Sequence, residues 1–445
     1  MRKISTMIVA LALVLGTSQC KKQENSVANG EKQHIVLNAS FAGNGAKIAE
    51  DNTGGLKWQT GDVITVTQGG AVSGTLSCID AENGIFDGEV DLTQDDLTFT
   101  FGTQPAYFTQ SGSLEDAIFL TATAPFSPAG DYDVMMNMPY AVLKIDLSAV
   151  VEVLGETTTI AITENGSPIA SVKDVTAEPK DMYVAVPAVA ENTTQKSYRF
   201  DCDIITKGGG EWALAANTFY TSSNDHGKSI KVVPSEFTLN GKTVYFSKGL
   251  LLYDKTAGEF SFESSQVSNP ASWGENIEGR FFWTDNVVNA VAEEFNDDWN
   301  TQTSFFADNA ISGWRTLTGS KNSNPSEWYD LLLKPNNTTW VNLGGTLSLG
   351  SSGFVCFPDS YSGATSGLNY IPDGCVFIPM AGNRYNPTGT FGNYWSSTPS
   401  ATAEKAYGPY FGYESGPYVY NSGSGFADGI ARSTGRTVRL VKDKK

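Results

Sequence analysis

Between residues 33 and 236 apolar and polar positions alternate in short runs, the period of a strand with one buried face. HIVLNASF (34–41), GDVITVTQ (61–68), SGTLSCID (73–80), LTFTFGTQ (97–104), YAVLKIDL (140–147) and MYVAVPAV (182–189) are rich in β-branched and aromatic residues. SYRFDCDII (197–205) and SIKVVP (229–234) continue the series, and Gly, Asn, Asp and Pro separate the runs. Asn165-Gly166, inside TTIAITENGSPIASV (158–172), predicts a two-residue hairpin, because both turn positions need positive φ. About 200 residues of this pattern predict two antiparallel sandwiches of about 100 residues each. Their boundary is expected near residue 130, giving segments 33–130 and 131–236.

The pattern changes from 238. TVYFSKGLLLYDKTAGEFSFESS (243–265) predicts a hairpin turning at Lys255–Gly258, and VVNAVAEEFNDDW (287–299) a short helix. In GWRTLTGSKNSNPSEWYDLLL (313–333), Asn324-Pro325-Ser326-Glu327 has the form of a helix start. Asn324 is the expected N-cap, Pro325 the first helical residue, and Glu327 reaches back to a free N–H. Trp328, Leu331 and Leu332 then share one buried face, and Pro335 ends the helix. On this reading Glu327 is a cap, Trp328 is core, and Arg315 pairs with a buried carboxylate or with carbonyls. The stretch is a structural clasp rather than a catalytic site.

Trp58-Gln59-Thr60-Gly61-Asp62-Val63-Ile64-Thr65-Val66 resembles the W-x-x-G-D-x-I-x-V strand of fimbrillin-like proteins, the surface pilus subunits and anchors of Bacteroidales. The later PAYFTQ and DYDVMMNMPYAVLKIDL segments follow in the same order. The resemblance implies two transthyretin-like sandwiches in a cell-surface assembly whose subunits join by strand exchange. Three further motifs carry a second resemblance: Trp314-Arg315-Thr316-Leu317-Thr318 with Glu327 to Leu332, Gly392 to Thr398, and Gly435-Arg436-Thr437-Val438-Arg439-Leu440-Val441. Over about 238–442 they are similar to the Fibrobacter succinogenes major paralogous domain, itself similar to formylglycine-generating-enzyme and C-type-lectin-like folds. Gly319 to Ser323 lengthens the loop before the helix relative to that pattern. The fold class expected is therefore mostly β: two sandwiches followed by an α+β, C-type-lectin-like domain.

The enzyme relative's chemistry needs closely spaced cysteines near the C-terminal strand, and here no Cys follows Cys375. The only histidines are His34 and His226, so 238–445 has neither a His-based triad nor the commonest zinc ligand. Glu293-Glu294 and Asp297-Asp298 read as a solvated polar face rather than an acid pair. The lectin tripeptides Glu-Pro-Asn, Gln-Pro-Asp and Trp-Asn-Asp are absent. Asn296-Asp297-Asp298-Trp299-Asn300 offers oxygens to calcium without a diagnostic spacing. The expectation is a protein that is not an enzyme, with no cofactor or metal signalled.

YGPYFGYESGPYVYNSGSGF (407–426) sets five Tyr and two Phe among Gly, Ser, Pro and Asn, a composition suited to recognition. The competing reading makes Tyr407, Phe411, Tyr418 and Tyr420 core-filling strand residues. Tyr410 and Tyr413, beside Pro409 and Gly412, are the candidate ligand-binding residues. Tyr385 and Asn383, in NRYNPTGTFGN (383–393), are expected to line the same face.

Charge sharpens the choice of partner. Residues 20–237 carry 13 Lys and Arg against 29 Asp and Glu (−16), and 238–445 carry 15 against 19 (−4). An acidic front half argues against nucleic acid, whose phosphates need a basic face. The N-terminus reads as an export signal, with basic Met1-Arg2-Lys3 and then an apolar run Ile4–Leu15 too short to span a bilayer. Two endings stay open. Cys20 before Lys21-Lys22 and a polar tether (20–32) resembles a lipoprotein with Cys20 as lipidation site, although Thr17 and Gln19 depart from the usual lipobox. Cleavage after Ser18 is the rival, with Gly16 and Ser18 meeting the small-x-small rule. Cys356 and Cys375, in neighbouring strand-like runs, are expected either to bridge or to be buried thiols.

The expectation is thus an exported, lipid-anchored protein of the outer membrane and cell surface, or otherwise a secreted one. It acts as an adhesin or as an accessory, tip or anchor pilus subunit, with a glycan or a host or bacterial surface protein as partner. Ending on GRTVRLV and KDKK points to a terminal rather than a shaft subunit. The alternatives are a surface glycan-capture protein for nutrient uptake and, behind it, a formylglycine-generating-type enzyme.

Overall fold

A computed structural model describes residues 32–41, 57–93, 95–155, 158–165, 167–175, 181–188, 195–220, 222 and 228–267. It also describes 276–292, 304–307, 311, 313–320, 325–334, 336–344, 351–383, 391–402, 404–413, 417–420 and 429–445. The expected leader (1–19), Cys20, most of the tether, Gly166, Tyr385 and the acidic 293–300 stretch lie outside the described residues. Strands hold 49% of the described residues and helices 6%, so the class is mostly β. No helix among the described residues is long and apolar enough to cross a membrane.

The chain forms two compact units. One comprises Trp58–Phe101, Thr121–Met136 and the strand preceding residue 41, and the other Gly102–Leu120 with Asn137–Lys445. The first contains strands β1 (Lys32–Phe41), β2 (Val63–Gln68), β3 (Ala71–Asp80), β4 (Ile85–Asp91), β5 (Leu97–Gly102), β6 (Phe119–Ala124) and β7 (Asp131–Met136). They make a single seven-stranded sheet in the order β6-β5-β2-β3-β4-β1-β7. Four strands separate β5 from β7, which in a flat sheet would put them about 24 Å apart. Yet the rings of Phe99 (β5) and Tyr132 (β7) lie 5.5 Å apart, so the sheet curls over its own buried face. Trp58 is the wedge. Its ring meets Phe86 at 4.8 Å and Phe101 at 5.4 Å, both edge-on, and its Nε1–H donates to the Ala39 carbonyl at 2.9 Å. The Gly61-Asp62 turn that follows is closed by the Gln59 N–H donating to the Asp62 carboxylate, and it starts β2.

In the second unit, residues 137–236 form a two-sheet sandwich. Its strands are β8 (Tyr140–Asp146), β9 (Thr158–Glu164), β10 (Ser167–Val175), β11 (Asp181–Pro187), β12 (Lys196–Asp201), β13 (Thr206–Lys207), β14 (Gly210–Trp212), β15 (Thr218–Tyr220), β16 (Ile230–Lys231) and β17 (Val233–Pro234), with helix α1 (Ser148–Leu154) after β8. One sheet runs β10-β9-β12-β14 and the other β11-β8-β15, with β16 also on β8. Asn165 takes φ +48° between β9 and β10, as the hairpin signal requires. Ala141, Leu143 and Ile145 from one sheet meet Ile160, Ile162 and Phe200 from the other. The open seam between β10 and β11 is closed by the 107–112 segment. The Gln110 side chain donates to and accepts from the Ala185 backbone, while the Ser171 N–H donates to the Tyr107 carbonyl.

From 237 onward the sheets are short and the helices slight: α2 (Val287–Ala290) and α3 (Glu327–Leu332). The Lys255–Gly258 turn joins antiparallel Leu251–Asp254 and Glu259–Phe262. GRTVRLV is not one strand. Gly435 turns at φ +55°, Arg436 bridges to both Phe281 and Asn383, Thr437 bridges to Tyr394, and only Leu440–Asp443 forms a strand. The helix cap also differs from expectation. Ser326, not Asn324, is the N-cap: it has extended dihedrals, and its hydroxyl accepts from the Tyr329 N–H. Pro325 therefore lies before the helix. Glu327, the first helical residue, turns its carboxylate away to Arg315 instead of capping.

Cys356 faces the same core as Val376 and Ile378, while Cys375 faces the one containing Val355 and Phe377. Cys356 pairs with Val376, so alternation sends the two thiols to opposite faces of the sheet, and they are free thiols. Burial raises all four described thiols, Cys202 and Cys375 to about 12. A thiol reagent should therefore spare these four in the native protein and titrate them after denaturation, with no mass change on reduction. A bridged tryptic peptide pair carrying Cys356 and Cys375 would refute this assignment.

Candidate binding face of the C-terminal region

The core beneath the candidate face is built from tryptophans and arginines. The Trp283 indole N–H donates to the Ser396 carbonyl at 2.8 Å, that of Trp395 to Phe281 at 2.7 Å, and that of Trp328 to Trp395 at 3.3 Å. Arg432 lies over Trp283 (4.5 Å) and Arg436 over Trp395 (5.3 Å). Arg436 also donates to the Pro409 carbonyl at 3.3 Å, and Arg280 to that of Ala381 at 3.0 Å. Burial pulls the Arg280, Arg432, Arg436 and Arg439 guanidiniums below their ordinary range. Glu278 offsets this at Arg280, while at Arg432 and Arg436 backbone carbonyls and indole faces take the place of a counter-ion. Arg436 ties the GRTVRLV segment to NYWSST through the Tyr394 carbonyl at 3.5 Å, while Arg439 ties it to the Ser247 carbonyl. Their spacing alone gave no hint of that role.

The clasp is equally built in. Arg315, 6% exposed, forks onto both oxygens of Glu327 at 2.7 and 2.6 Å and onto Asp443. Glu327 also accepts from the Thr318 N–H at 2.7 Å, and its own N–H donates to the Thr318 hydroxyl at 3.1 Å. Burial opposes the charge on Arg315, but the bonds to Asp443 and Glu327 outweigh it and raise the guanidinium. The same bond to Arg315 holds the Asp443 carboxyl below the usual range. These bonds tie the 313–318 segment, α3 and the Leu440–Asp443 strand to one another.

The tyrosine-rich segment is a hairpin, Tyr410–Tyr413 against Pro417–Tyr420, with Phe391–Asn393 on its other side. Phe411 is its anchor. The ring is fully buried, 5.3 Å from Phe354 and stacked 5.8 Å from Tyr394. It lies directly on Gly392, where a Cβ would come within 2.1 Å of it, so only glycine fits. Tyr410, next along the strand, points the other way; it is half-buried and stacks on Phe391 at 5.0 Å and 30°. Asn383 is half-buried and bridges Arg436, whose guanidinium bonds Pro409 beside Tyr410. Asn383 thus meets Arg436 at its backbone, and the strand bearing Tyr410 meets it at its guanidinium. Tyr413 lies on the strand opposite Pro417, while Tyr385 lies outside the described residues. Of the residues set against recognition, Phe411 is core and Tyr407 half-buried. Among the described residues no cluster of three or more His, Cys, Asp or Glu is placed to hold a metal.

No protein-family profile matches the chain, and neither does any curated protein. Two solved structures are similar over 52% of it, each at 12% identity and a TM-score of 0.15. One is the Bacillus anthracis TIE protein, of which 40% is covered; the other is a variant of BcpA, the major pilin subunit of Bacillus cereus, of which 92% is covered. At that TM-score the likeness carries no argument for fold or function.

Proposed function

We propose that this is an exported cell-surface protein, lipid-anchored at Cys20 in the outer membrane, that serves as an adhesin or as an accessory, tip or anchor subunit of a pilus. The observation that carries this reading is the hairpin fixed into the core by Phe411 through Gly392, which leaves Tyr410 on its opposite side, stacked on Phe391. A rigid aromatic held on an anchored strand binds with little loss of conformational entropy. The partner class is a surface glycan or a surface protein. The W-x-x-G-D strand at Trp58 and the sheet it wedges support placement among pilus-type surface proteins. The reading involves no catalysis.

The test is the full chain on an array of glycans and host surface proteins, with and without EDTA. Binding should be indifferent to EDTA and fall about tenfold or more with Tyr410→Ala. Turnover of a peptide cysteine without any array binding would instead establish the enzyme reading.

A further inference from the structure

A cleft lies within the larger unit, where the 137–236 sandwich meets the C-terminal region. Its volume is about 720 Å³, within the range of small-molecule sites. Its walls are fixed. The Gly208 N–H donates to Asp373 Oδ2 at 2.9 Å, Arg199 donates to the Ile371 carbonyl, and the Ile205 N–H donates to Phe246 at 2.9 Å. Asp373 Oδ1 lies over Gly209, where a Cβ would sit 3.2 Å from it and 2.4 Å from the Tyr198 carbonyl; glycine there keeps the wall open.

The lining has a particular chemistry. Arg199 and Lys248 contribute two positive charges and Asp201, Glu211 and Asp373 three negative ones, a net of −1 in a protein of net charge −18. Anionic ligands are repelled by that field. The two cations among the carboxylates also disfavour a bound cation. What remains is a neutral ligand able to both donate and accept hydrogen bonds. Tyr370, 54% exposed on the rim, adds a flat apolar plate. Hydroxyls that meet carboxylate, amide and guanidinium groups, beside a C–H face that meets an aromatic ring, describe a sugar. Burial raises the Asp201 carboxyl; a hydrogen bond with Thr163, then Arg199 and Lys248, pull it back and Asp373 raises it further, as expected of an acid set inside the wall.

We propose that this cleft binds a short neutral oligosaccharide of two or three rings, stacked on Tyr370 and hydrogen-bonded by Asp201 and Asp373. The site is separate from the Tyr410 face and does not depend on it.

The experiment is calorimetric titration and saturation-transfer NMR on the full chain with three neutral probes, maltotriose, cellotriose and triacetylchitotriose, and one anionic probe, trigalacturonic acid. At least one neutral probe should bind, and the anionic one should not. Tyr370→Ala, a rim change that leaves the melting temperature in place, should weaken binding about tenfold, and Asp201→Asn should weaken it as well. Tyr410→Ala should leave it unchanged, which separates failure here from failure of the adhesin reading. Silence from all three neutral probes, preference for the anionic one, or binding indifferent to Tyr370→Ala would overturn the proposal.

Discussion

Arg315→Met should lower the stability of the C-terminal region by about 3–5 kcal/mol, the cost of stranding a buried carboxylate. Glu327 is 1% exposed and would lose both bonds from the guanidinium, keeping only the Thr318 N–H. The Leu440–Asp443 strand would lose the side-chain tie of Asp443 to the 313–318 segment at the same time, keeping only its backbone pairing there. Seven of the nine tryptophans lie beyond residue 238, so their fluorescence in a urea titration reports this region. The double variant Arg315→Met/Glu327→Met should recover part of the loss, because the stranded charge goes with its partner. pH offers a second readout. Asp443 is depressed in the folded state, so its contribution is present above the ordinary carboxylate range and is lost as pH falls through its lower folded value. Wild type should lose stability steeply below about pH 4, and Arg315→Met less steeply. A variant with wild-type stability and no ligand binding would show that the clasp is a site after all.

Trp58→Ala should cost the first unit about 3–5 kcal/mol, as removal of a large buried ring does. The ring is 5% exposed and touches β4 and β5, three strands apart in the sheet order. Without it the curl of the sheet loses its wedge, and the Ala39 carbonyl loses its donor. Amide exchange in β1 and β4 should accelerate, while the tryptophan signal of the C-terminal region stays in place. Exchange rates in β4 equal to wild type would remove Trp58 from this role.

How far the sequence carried is clear from particular elements. The alternation in β1 and β2 and the positive φ of Asn165 are local signals, and each is realised, whereas β8 is buried on both faces and shows no alternation. β4, IFDGEVD, breaks its apolar rhythm with Asp-Gly and is invisible to periodicity, although the sheet passes through it. The helix start was readable but its cap was not. Asn324 and Ser326 both cap helices, and only the backbone dihedrals place Ser326 there. Arg315 meets Asp443 across 128 residues, and the cleft draws its lining from stretches between 163 and 375. Such pairings are set by tertiary packing and leave no spacing to read. The opposed thiols are an intermediate case: alternation gives the answer once the register of Cys356 on Val376 is known.

The account turns on whether the face bearing Tyr410 recognises a surface. The most direct test is the adherence of cells displaying the wild-type chain or its Tyr410→Ala variant to a glycan- or host-protein-coated surface, with display matched by antibody. The account predicts adherence reduced about tenfold in the variant at equal display. Equal adherence of the two would contradict it.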